Sequence, residues 1–380
     1  MPRLSPTWRS RAFSLTALLV MIGGTACHKG GGGGPGPTPV GAPSITCPSD
    51  ISKDVEQGPL VVNYDPPVVL GGAAPVATAC SSESGASFPG GTTDVTCTAT
   101  DAIQQKAQCL FHVNVNVVPK LKGTTFLAFG DSITWGEVSG SSAFGIRDKD
   151  PLNNYPVVLQ ALLRDKYRFQ TADITVANAG EQGEHVEKGK PRLEEVLRGS
   201  VPDVLLLLEG ANDANDSTGP LPGKTYTTDE TADWIVSTLR EDVDQARARG
   251  VQLVIWSTLL PEVAGRPNAA GVDRIPVVND LIRKYESRTD AVLVDAFAAF
   301  EAQKELLIGV DGLHPTVAGY KKLAGLFLDA IAANFQQPSP PPSPAFFGRP
   351  TVARPSAIRR TSDTAPTAAR KSAPTSRRLR

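Results

Sequence analysis

Residues 125–132, Thr-Phe-Leu-Ala-Phe-Gly-Asp-Ser, join a continuously apolar run to a turn that ends in a hydroxyl. A strand buried on both faces of a sheet has this continuous pattern, whereas a strand with one solvated face alternates. Similar apolar runs follow at residues 174–177, 204–208, 253–256 and 292–294. Helical patterns lie between and after them at residues 155–167, 231–249, 275–287 and 317–335. Strands that alternate with helices indicate an α/β domain whose parallel sheet is covered on both faces.

Three junctions that follow predicted strands carry residues suited to catalysis. Ligands of open α/β sheets bind at the carboxyl ends of the strands, so these junctions are where chemistry is expected. Ser132 stands at a predicted helix start, where its N–H can stabilise developing negative charge. Gly180 has no side chain, so its backbone N–H can approach a reacting oxygen. Asn212 offers a carboxamide as a further uncharged donor.

A serine hydroxyl needs a base within hydrogen-bond reach, and histidine is the usual one. The chain has four histidines, and three lie outside the predicted site: His28 in a Gly/Pro-rich segment, His112 in a β-rich segment and His185 in a charged loop. We expect His185 to be a solvated surface residue. His314 is therefore the predicted base. Asp311 precedes it by three residues, so one tight turn can bring the carboxylate to the ring and orient it.

In chain order, Gly130-Asp131-Ser132, Gly180, Gly210-Ala211-Asn212-Asp213 and Asp311-Gly312-Leu313-His314-Pro315 resemble the motif blocks of the SGNH (GDSL-type) hydrolases. We assign this domain to residues 122–335. The resemblance implies a flavodoxin-like three-layer α/β/α sandwich, ester hydrolysis through an acyl-enzyme, and neither cofactor nor metal. It also implies that the Ser132 N–H, the Gly180 N–H and the Asn212 side chain form the oxyanion hole. Asp131 and Asp213 are expected to cap or brace turns instead of taking part in catalysis.

Residues 44–118 contain short β-branched runs separated by Gly, Pro and Ser, which is typical of a small all-β module. Ile45-Thr46-Cys47-Pro48, residues 85–92 (Gly-Ala-Ser-Phe-Pro-Gly-Gly-Thr), residues 95–101 (Val-Thr-Cys-Thr-Ala-Thr-Asp) and Cys109-Leu110-Phe111-His112-Val113 resemble the hyalin repeat, an immunoglobulin-like extracellular module. The resemblance implies adhesion or spacing. The module is either a rigid spacer or a binder of an envelope glycan or protein. Its cysteines, Cys47, Cys80, Cys97 and Cys109, are disulfide candidates with three possible pairings.

The N-terminus has the layout of a secretory signal, with three arginines, an apolar run from Ala12 to Ile22 and small residues before Cys27. Gly24-Thr25-Ala26-Cys27 resembles a bacterial lipobox, which implies cleavage after residue 26 and lipidation of Cys27. Residues 27–43 then form a Gly/Pro tether. Since His28 is not an aspartate, we expect an outer-membrane lipoprotein, at the periplasmic face or the cell surface. Ordinary signal cleavage and secretion is the alternative, and no transmembrane helix is expected in the mature chain.

Charge is unevenly distributed. The chain has a formal net charge of -1 with 20% charged residues, which argues against a nucleic-acid binder. Residues 336–380 hold nine basic residues against one acidic residue, Asp363, so the rest of the chain is acidic. This Pro- and Arg-rich tail is predicted to be disordered. The membrane is expected to be contacted through the lipid anchor only.

The predicted function is that of an exported serine esterase acting on a small-molecule or glycan ester, with short acyl groups on carbohydrate as the first expectation. An acyltransferase would use the same site and differ only in what intercepts the acyl-enzyme. A non-catalytic surface adhesin is the other alternative. Substrate choice would depend on loops such as residues 136–154 and 217–228, whose shapes the sequence does not reveal.

Overall fold

The computed structural model describes residues 40–139, 148–221, 223–285 and 291–338. The predicted signal peptide, Cys27, most of the tether and residues 339–380 of the predicted tail lie outside the described residues. Within the described ranges, none of the helices combines the length and the apolar character needed to cross a bilayer. Contacts divide the chain into two compact units. The described part of one comprises residues 40–49, Tyr64–Ser84 and Val95–Phe111, and the other holds the remaining described residues.

The N-terminal segment consists of strands, with no helix between residues 40 and 124. The strands are β1 (Ser44–Thr46), β2 (Ile51–Val55), β3 (Leu60–Val62), β4 (Val68–Leu70), β5 (Ala77–Cys80), β6 (Ala86–Phe88), β7 (Gly91–Thr100) and β8 (Lys106–Val117). β1 pairs with β4, β3 with β6 and β5 with β7, all antiparallel, while β2 pairs with β8 in parallel. Buried and more exposed residues alternate along β7 and β8, as expected for strands with one solvated face. The predicted all-β character is confirmed.

The four cysteines of this segment form two disulfides, Cys47–Cys109 and Cys80–Cys97. Cys80 and Cys97 are register partners on β5 and β7. The other bond joins residues separated by 62 positions. In the chain-entropy account, each bond stabilises the fold by about 3–4 kcal/mol by restricting the unfolded chain.

The α/β part is built on five parallel strands: β9 (Thr125–Gly130), β10 (Thr175–Gly180), β11 (Val204–Leu208), β12 (Leu253–Ser257) and β13 (Ala291–Val294). Their order in the sheet is β10-β9-β11-β12-β13. This is the flavodoxin-like order, in which the chain changes direction across the sheet between its first and third strands. Gly130 at the end of β9 pairs with Gly180 on one side and Leu208 on the other. The residues that follow these three strands therefore emerge next to one another.

Nine α-helices lie within the described residues: α1 (Ser132–Trp135), α2 (Tyr155–Lys166), α3 (Val186–Gly199), α4 (Ala211–Asp216), α5 (Thr228–Ala248), α6 (Ile275–Tyr285), α7 (Ala296–Glu301), α8 (Lys304–Leu307) and α9 (Val317–Phe335). α2 packs against α9, while α3 and α6 both pack against α5. The predicted three-layer α/β/α fold is confirmed. Helix α3 has no counterpart among the predicted helices, because its charged residues and an internal Pro191 obscure the pattern.

Candidate active site

Ser132 lies where β9 passes directly into α1. Asp131 caps that helix, its Oδ1 accepting the Ile133 N–H at 3.0 Å. Gly130 is required at the strand end, because a Cβ there would lie 1.7 Å from the Leu208 carbonyl oxygen. The turn thereby holds the Ser132 hydroxyl at the carboxyl edge of the sheet, with only 4% of the residue exposed.

His314 approaches Ser132 from the loop between α8 and α9. Its Nε2 is 2.8 Å from the Ser132 Oγ, and its Nδ1 is 2.7 Å from Asp311 Oδ2. Both distances are those of hydrogen bonds. The partners assign the ring tautomer, because a carboxylate accepts the hydrogen of Nδ1 and the serine hydroxyl donates to Nε2. The structure therefore brings together the residues predicted as nucleophile, base and orienting carboxylate.

Asp311 is held as a carboxylate by its surroundings. Burial alone would raise its pKa, but the hydrogen bond and charge of the His314 ring and two backbone N–H donors lower the pKa to about 2. Those donors are the N–H groups of Leu313 and His314, and the Ser139 hydroxyl adds a bond of 2.9 Å. An ionised carboxylate at this position fixes the imidazole and stabilises its protonated form.

The loop that contains Arg266 and Asn268 hydrogen-bonds to the segment that carries Asp311. The Arg266 guanidinium donates to the carbonyls of Ile308 and Gly309 at 3.0 and 2.8 Å. The Asn268 N–H donates to the Asp311 carbonyl at 2.8 Å. These contacts restrict the loop, and small displacements of a catalytic group are costly.

Gly180 does not supply the predicted oxyanion donor. Its N–H donates to the Asn178 Oδ1 at 3.0 Å, so this hydrogen is already engaged. The absence of a side chain serves packing instead, because a Cβ on Gly180 would lie 2.0 Å from the Trp135 nitrogen in α1. The prediction for Gly180 is corrected: this glycine allows α1 to lie against β10.

Gly183, three residues further on, lines the same cavity as Ser132 and Asn212. Among the described residues, no hydrogen-bond acceptor is found for its N–H. Asn212 donates one amide hydrogen to the Glu184 carbonyl at 2.8 Å, which leaves its second amide hydrogen available. Both glycines follow the same predicted strand, and the sequence pattern does not distinguish them.

The cavity has a volume of about 630 Å³. Polar side chains and backbone predominate in its wall: Ser132, Glu137, Gly183, His185, Asn212, Asn215, Asp216, Pro267, Asn268, Ala270, Leu313 and His314. His185, expected on the solvated surface, lies in this wall with its Nε2 3.1 Å from Asp216 Oδ2 and 26% of its side chain exposed. Nowhere in the described ranges do three or more His, Cys, Asp or Glu side chains form a group that could hold a metal ion.

Two acids adjoin the site in structural roles. Asp131 uses its second oxygen to accept the Ala211 N–H at 3.4 Å, and burial raises its pKa to about 6. Asp213 accepts from the Val186 N–H and the Thr218 hydroxyl. Asp131 caps a helix as expected, whereas Asp213 joins the start of α3 to the end of α4.

Glu137 was not among the predicted site residues. It is 2% exposed, lines the cavity and has its Oε2 3.8 Å from His314 Nε2. The only sequence signal is its place five residues after Ser132. Its burial depends on segments remote in the chain, such as the one that carries His314.

The sequence profile of the GDSL-like lipase/acylhydrolase family matches residues 128–322, and that of the HYR domain matches residues 40–115. Among solved structures, a lipase/acylhydrolase from Enterococcus faecalis is similar at 23% identity, covering 57% of this chain and 99% of that one, with a TM-score of 0.43. A catalytic mutant of an acetylxylan esterase from Geobacillus stearothermophilus is similar at 26% identity, covering 56% and 96%, with a TM-score of 0.43. No curated protein matches the chain.

Proposed function

Since the chain belongs to the GDSL-like lipase/acylhydrolase family, we propose that it hydrolyses carboxylic esters through an acyl-enzyme formed on Ser132. The observation that carries this proposal is the 2.8 Å contact between Ser132 Oγ and His314 Nε2 in the wall of a cavity. A hydroxyl paired with an imidazole is activated for attack on an acyl carbon.

In the first half of the reaction, Ser132 Oγ bonds to the acyl carbon and its proton passes to His314 Nε2. Asp311 stabilises the imidazolium. The negative oxygen of the tetrahedral intermediate is held by the N–H groups of Ser132 and Gly183 and by the free amide hydrogen of Asn212. His314 then gives its proton to the leaving alcohol as the bond between acyl carbon and alcohol oxygen breaks.

In the second half, water replaces the alcohol. His314 removes a proton from the water, whose oxygen bonds to the acyl carbon, and a second tetrahedral intermediate forms in the same oxyanion hole. The proton returns to Ser132 Oγ as the acid leaves. The free enzyme is restored with no net transfer of charge.

The substrate class we propose is a short acyl ester of a hydroxylated alcohol, such as a carbohydrate. Three residues of the cavity wall have largely apolar side chains, Pro267, Ala270 and Leu313, and carboxamides and acids make up much of the rest. A long acyl chain gains its binding energy from apolar burial, and such a wall provides little of it. Carboxamides both donate to and accept from hydroxyl groups.

Export is part of the proposal. Two disulfides persist in an oxidising compartment and are uncommon in the cytosol, and the HYR match supports an extracellular setting. We further propose that the enzyme is a lipoprotein anchored through Cys27.

A fluorophosphonate probe tests the nucleophile. We expect it to label the full chain once, and we expect Ser132→Ala and His314→Ala to abolish labelling and lower kcat on nitrophenyl acetate by about 10⁴-fold or more. Ser237→Ala, which removes an exposed serine of α5, should label like the wild type. A folded wild type that does not label, or a Ser132→Ala variant that does, would disprove the proposal.

A further inference from the structure

Glu137 has a rigidly held backbone next to the nucleophile. Its N–H donates to the Ser132 carbonyl at 3.0 Å, and its own carbonyl accepts the Tyr320 hydroxyl at 2.8 Å. Both bonds fix the direction from which the side chain enters the cavity. The backbone from which the Glu137 side chain enters the cavity is therefore anchored on both sides.

Among the residues that the structure describes, the Glu137 carboxylate makes few hydrogen bonds. Gln182 Nε2 donates to its Oε2 at 3.2 Å, and this is the one side chain among the described residues that hydrogen-bonds it. A carboxylate has room for about four hydrogen bonds, and a buried one is costly when they are missing. Because Glu137 lines the cavity, a bound substrate can supply the remaining donors.

Glu137 is not positioned to act as the base or as its orienting acid. Its Oε2 is 3.8 Å from His314 Nε2, beyond hydrogen-bond distance, and that nitrogen already bonds Ser132. The other ring nitrogen bonds Asp311. With these two roles excluded, we consider a role for Glu137 in binding the substrate.

The leaving alcohol departs from Ser132 within the cavity that Glu137 also lines. His314 Nε2 gives its proton to the ester oxygen of that alcohol, so the oxygen lies within hydrogen-bond reach of Nε2. Since Glu137 Oε2 is 3.8 Å from the same nitrogen, an alcohol that leaves on the Glu137 side of the ring can bring a hydroxyl one carbon further along within hydrogen-bond reach of the carboxylate.

We propose that Glu137 is a specificity-determining residue that accepts a hydrogen bond from a hydroxyl on the carbon next to the esterified carbon of the alcohol. The enzyme thereby selects esters of polyols, sugars included, over esters of simple alcohols. This inference rests on the proposed function, because it concerns substrates of the same site.

Two esters that differ by one hydroxyl test the inference: ethyl acetate and 2-hydroxyethyl acetate. After division by the rate of alkaline hydrolysis of each ester, we expect wild-type kcat/KM to favour the hydroxylated ester by about 10- to 100-fold, the range for a hydrogen bond to a charged group. The preference should fall part-way in Glu137→Gln, which keeps a neutral acceptor, and to about one in Glu137→Leu. Glu181→Gln removes an exposed carboxylate nearby and should retain the wild-type preference.

A wild type that hydrolyses both esters without preference, or a Glu137→Leu variant that keeps the preference, would overturn the inference and leave the esterase proposal intact. A folded wild type that hydrolyses neither ester nor nitrophenyl acetate, and does not react with fluorophosphonate, would instead overturn the proposed function. Should the variants fail to fold, competition between ethylene glycol and ethanol for the wild-type acetyl-enzyme decides. Preferential transfer per hydroxyl group to ethylene glycol, which has two hydroxyls to the one of ethanol, supports the inference, and equal transfer per hydroxyl group refutes it.

Discussion

Asn212 uses one amide hydrogen to bond the Glu184 carbonyl at 2.8 Å. That bond orients the carboxamide, and Asn212 lines the same cavity as Ser132 and Gly183. Donors held in advance stabilise the transition state more than the ground state, because full negative charge develops on the oxygen only as the tetrahedral species forms. At the residue scale, the proposed oxyanion hole therefore depends on contacts that orient its donors as much as on the donors themselves.

Replacing Asn212 by alanine should lower kcat by about 10²–10³-fold, the usual loss for one oxyanion donor, while KM changes by less than about threefold. Steady-state kinetics on nitrophenyl acetate measures both parameters. Asn334→Ala, an exposed asparagine of α9, is the matched control and should behave like the wild type. If kcat of Asn212→Ala stays within about threefold of wild type, Asn212 is not a donor to the oxyanion.

Helix α5 carries an acid that its surroundings do not satisfy. Asp242 is 0% exposed, and neither of its carboxylate oxygens has a hydrogen-bond partner among the described residues. Burial raises its pKa to about 8, although the nearby Lys190 opposes the shift. The start of the helix is well satisfied, because Thr227 and Glu230 form a capping box there. At the element scale, the capping box thus stabilises the start of α5. The buried Asp242 in the middle of the helix destabilises the fold as the pH rises and the carboxyl group ionises.

Asp242→Asn should stabilise the protein increasingly between pH 4 and pH 8. In the unfolded chain this acid ionises near the ordinary aspartate pKa of 3.8, whereas in the folded chain it keeps its proton up to about pH 8. The wild type therefore loses stability as pH rises through this window, and a neutral amide avoids that loss, on the order of a few kcal/mol above pH 8.

Urea unfolding of wild type and variant at pH 4, 6 and 8.5 measures the effect. Asp233→Asn changes an exposed acid of the same helix and should give a small difference that is similar at all three pH values. A gain for Asp242→Asn that is equal at pH 4 and pH 8.5 would refute the assigned ionisation.

At the scale of the whole molecule, the match to the HYR domain precedes the match to the hydrolase family along the chain. The cysteines at positions 47, 80, 97 and 109 are all consumed in two disulfides. Cys27 is the remaining cysteine of the sequence. Its position after an apolar run and small residues is the basis of the proposed lipid anchor, which would hold the esterase at a membrane surface.

Cys27→Ala should abolish incorporation of radiolabelled palmitate and move the protein from the membrane to the soluble fraction of a bacterial host, with esterase activity retained. Lipidation needs the thiol, and two signals or one multiply acylated residue are required for stable anchoring. His28→Ala leaves the thiol in place and should still be labelled. Equal labelling of Cys27→Ala and wild type, or none in the wild type, would rule out the anchor.

Sequence alone predicts the α/β layers and the site pair Ser132 and His314 in this protein. Strands buried on both faces must be apolar throughout, and this pattern is visible locally. A serine after such a strand needs a base, and His314 is the histidine that follows an aspartate by three residues near the end of the α/β pattern, whereas His185, which proves to line the same cavity, stands in a charged loop. Asp311 follows from its spacing to His314, since a short turn permits that contact wherever the loop lies.

Tertiary structure decided what depends on contacts between distant segments. Cysteine spacing allows three pairings, and strand register puts Cys80 opposite Cys97. Gly180 and Gly183 are equivalent in the pattern, but α1 packs against the first and leaves the second in the cavity. The sequence does not distinguish Glu137 from the other acids of the chain, and only the fold places its Oε2 3.8 Å from His314 Nε2. The physical reason is the same in each case. Local sequence patterns encode which residues are buried, whereas the residues that a side chain contacts, and the direction in which it points, are set only by tertiary folding.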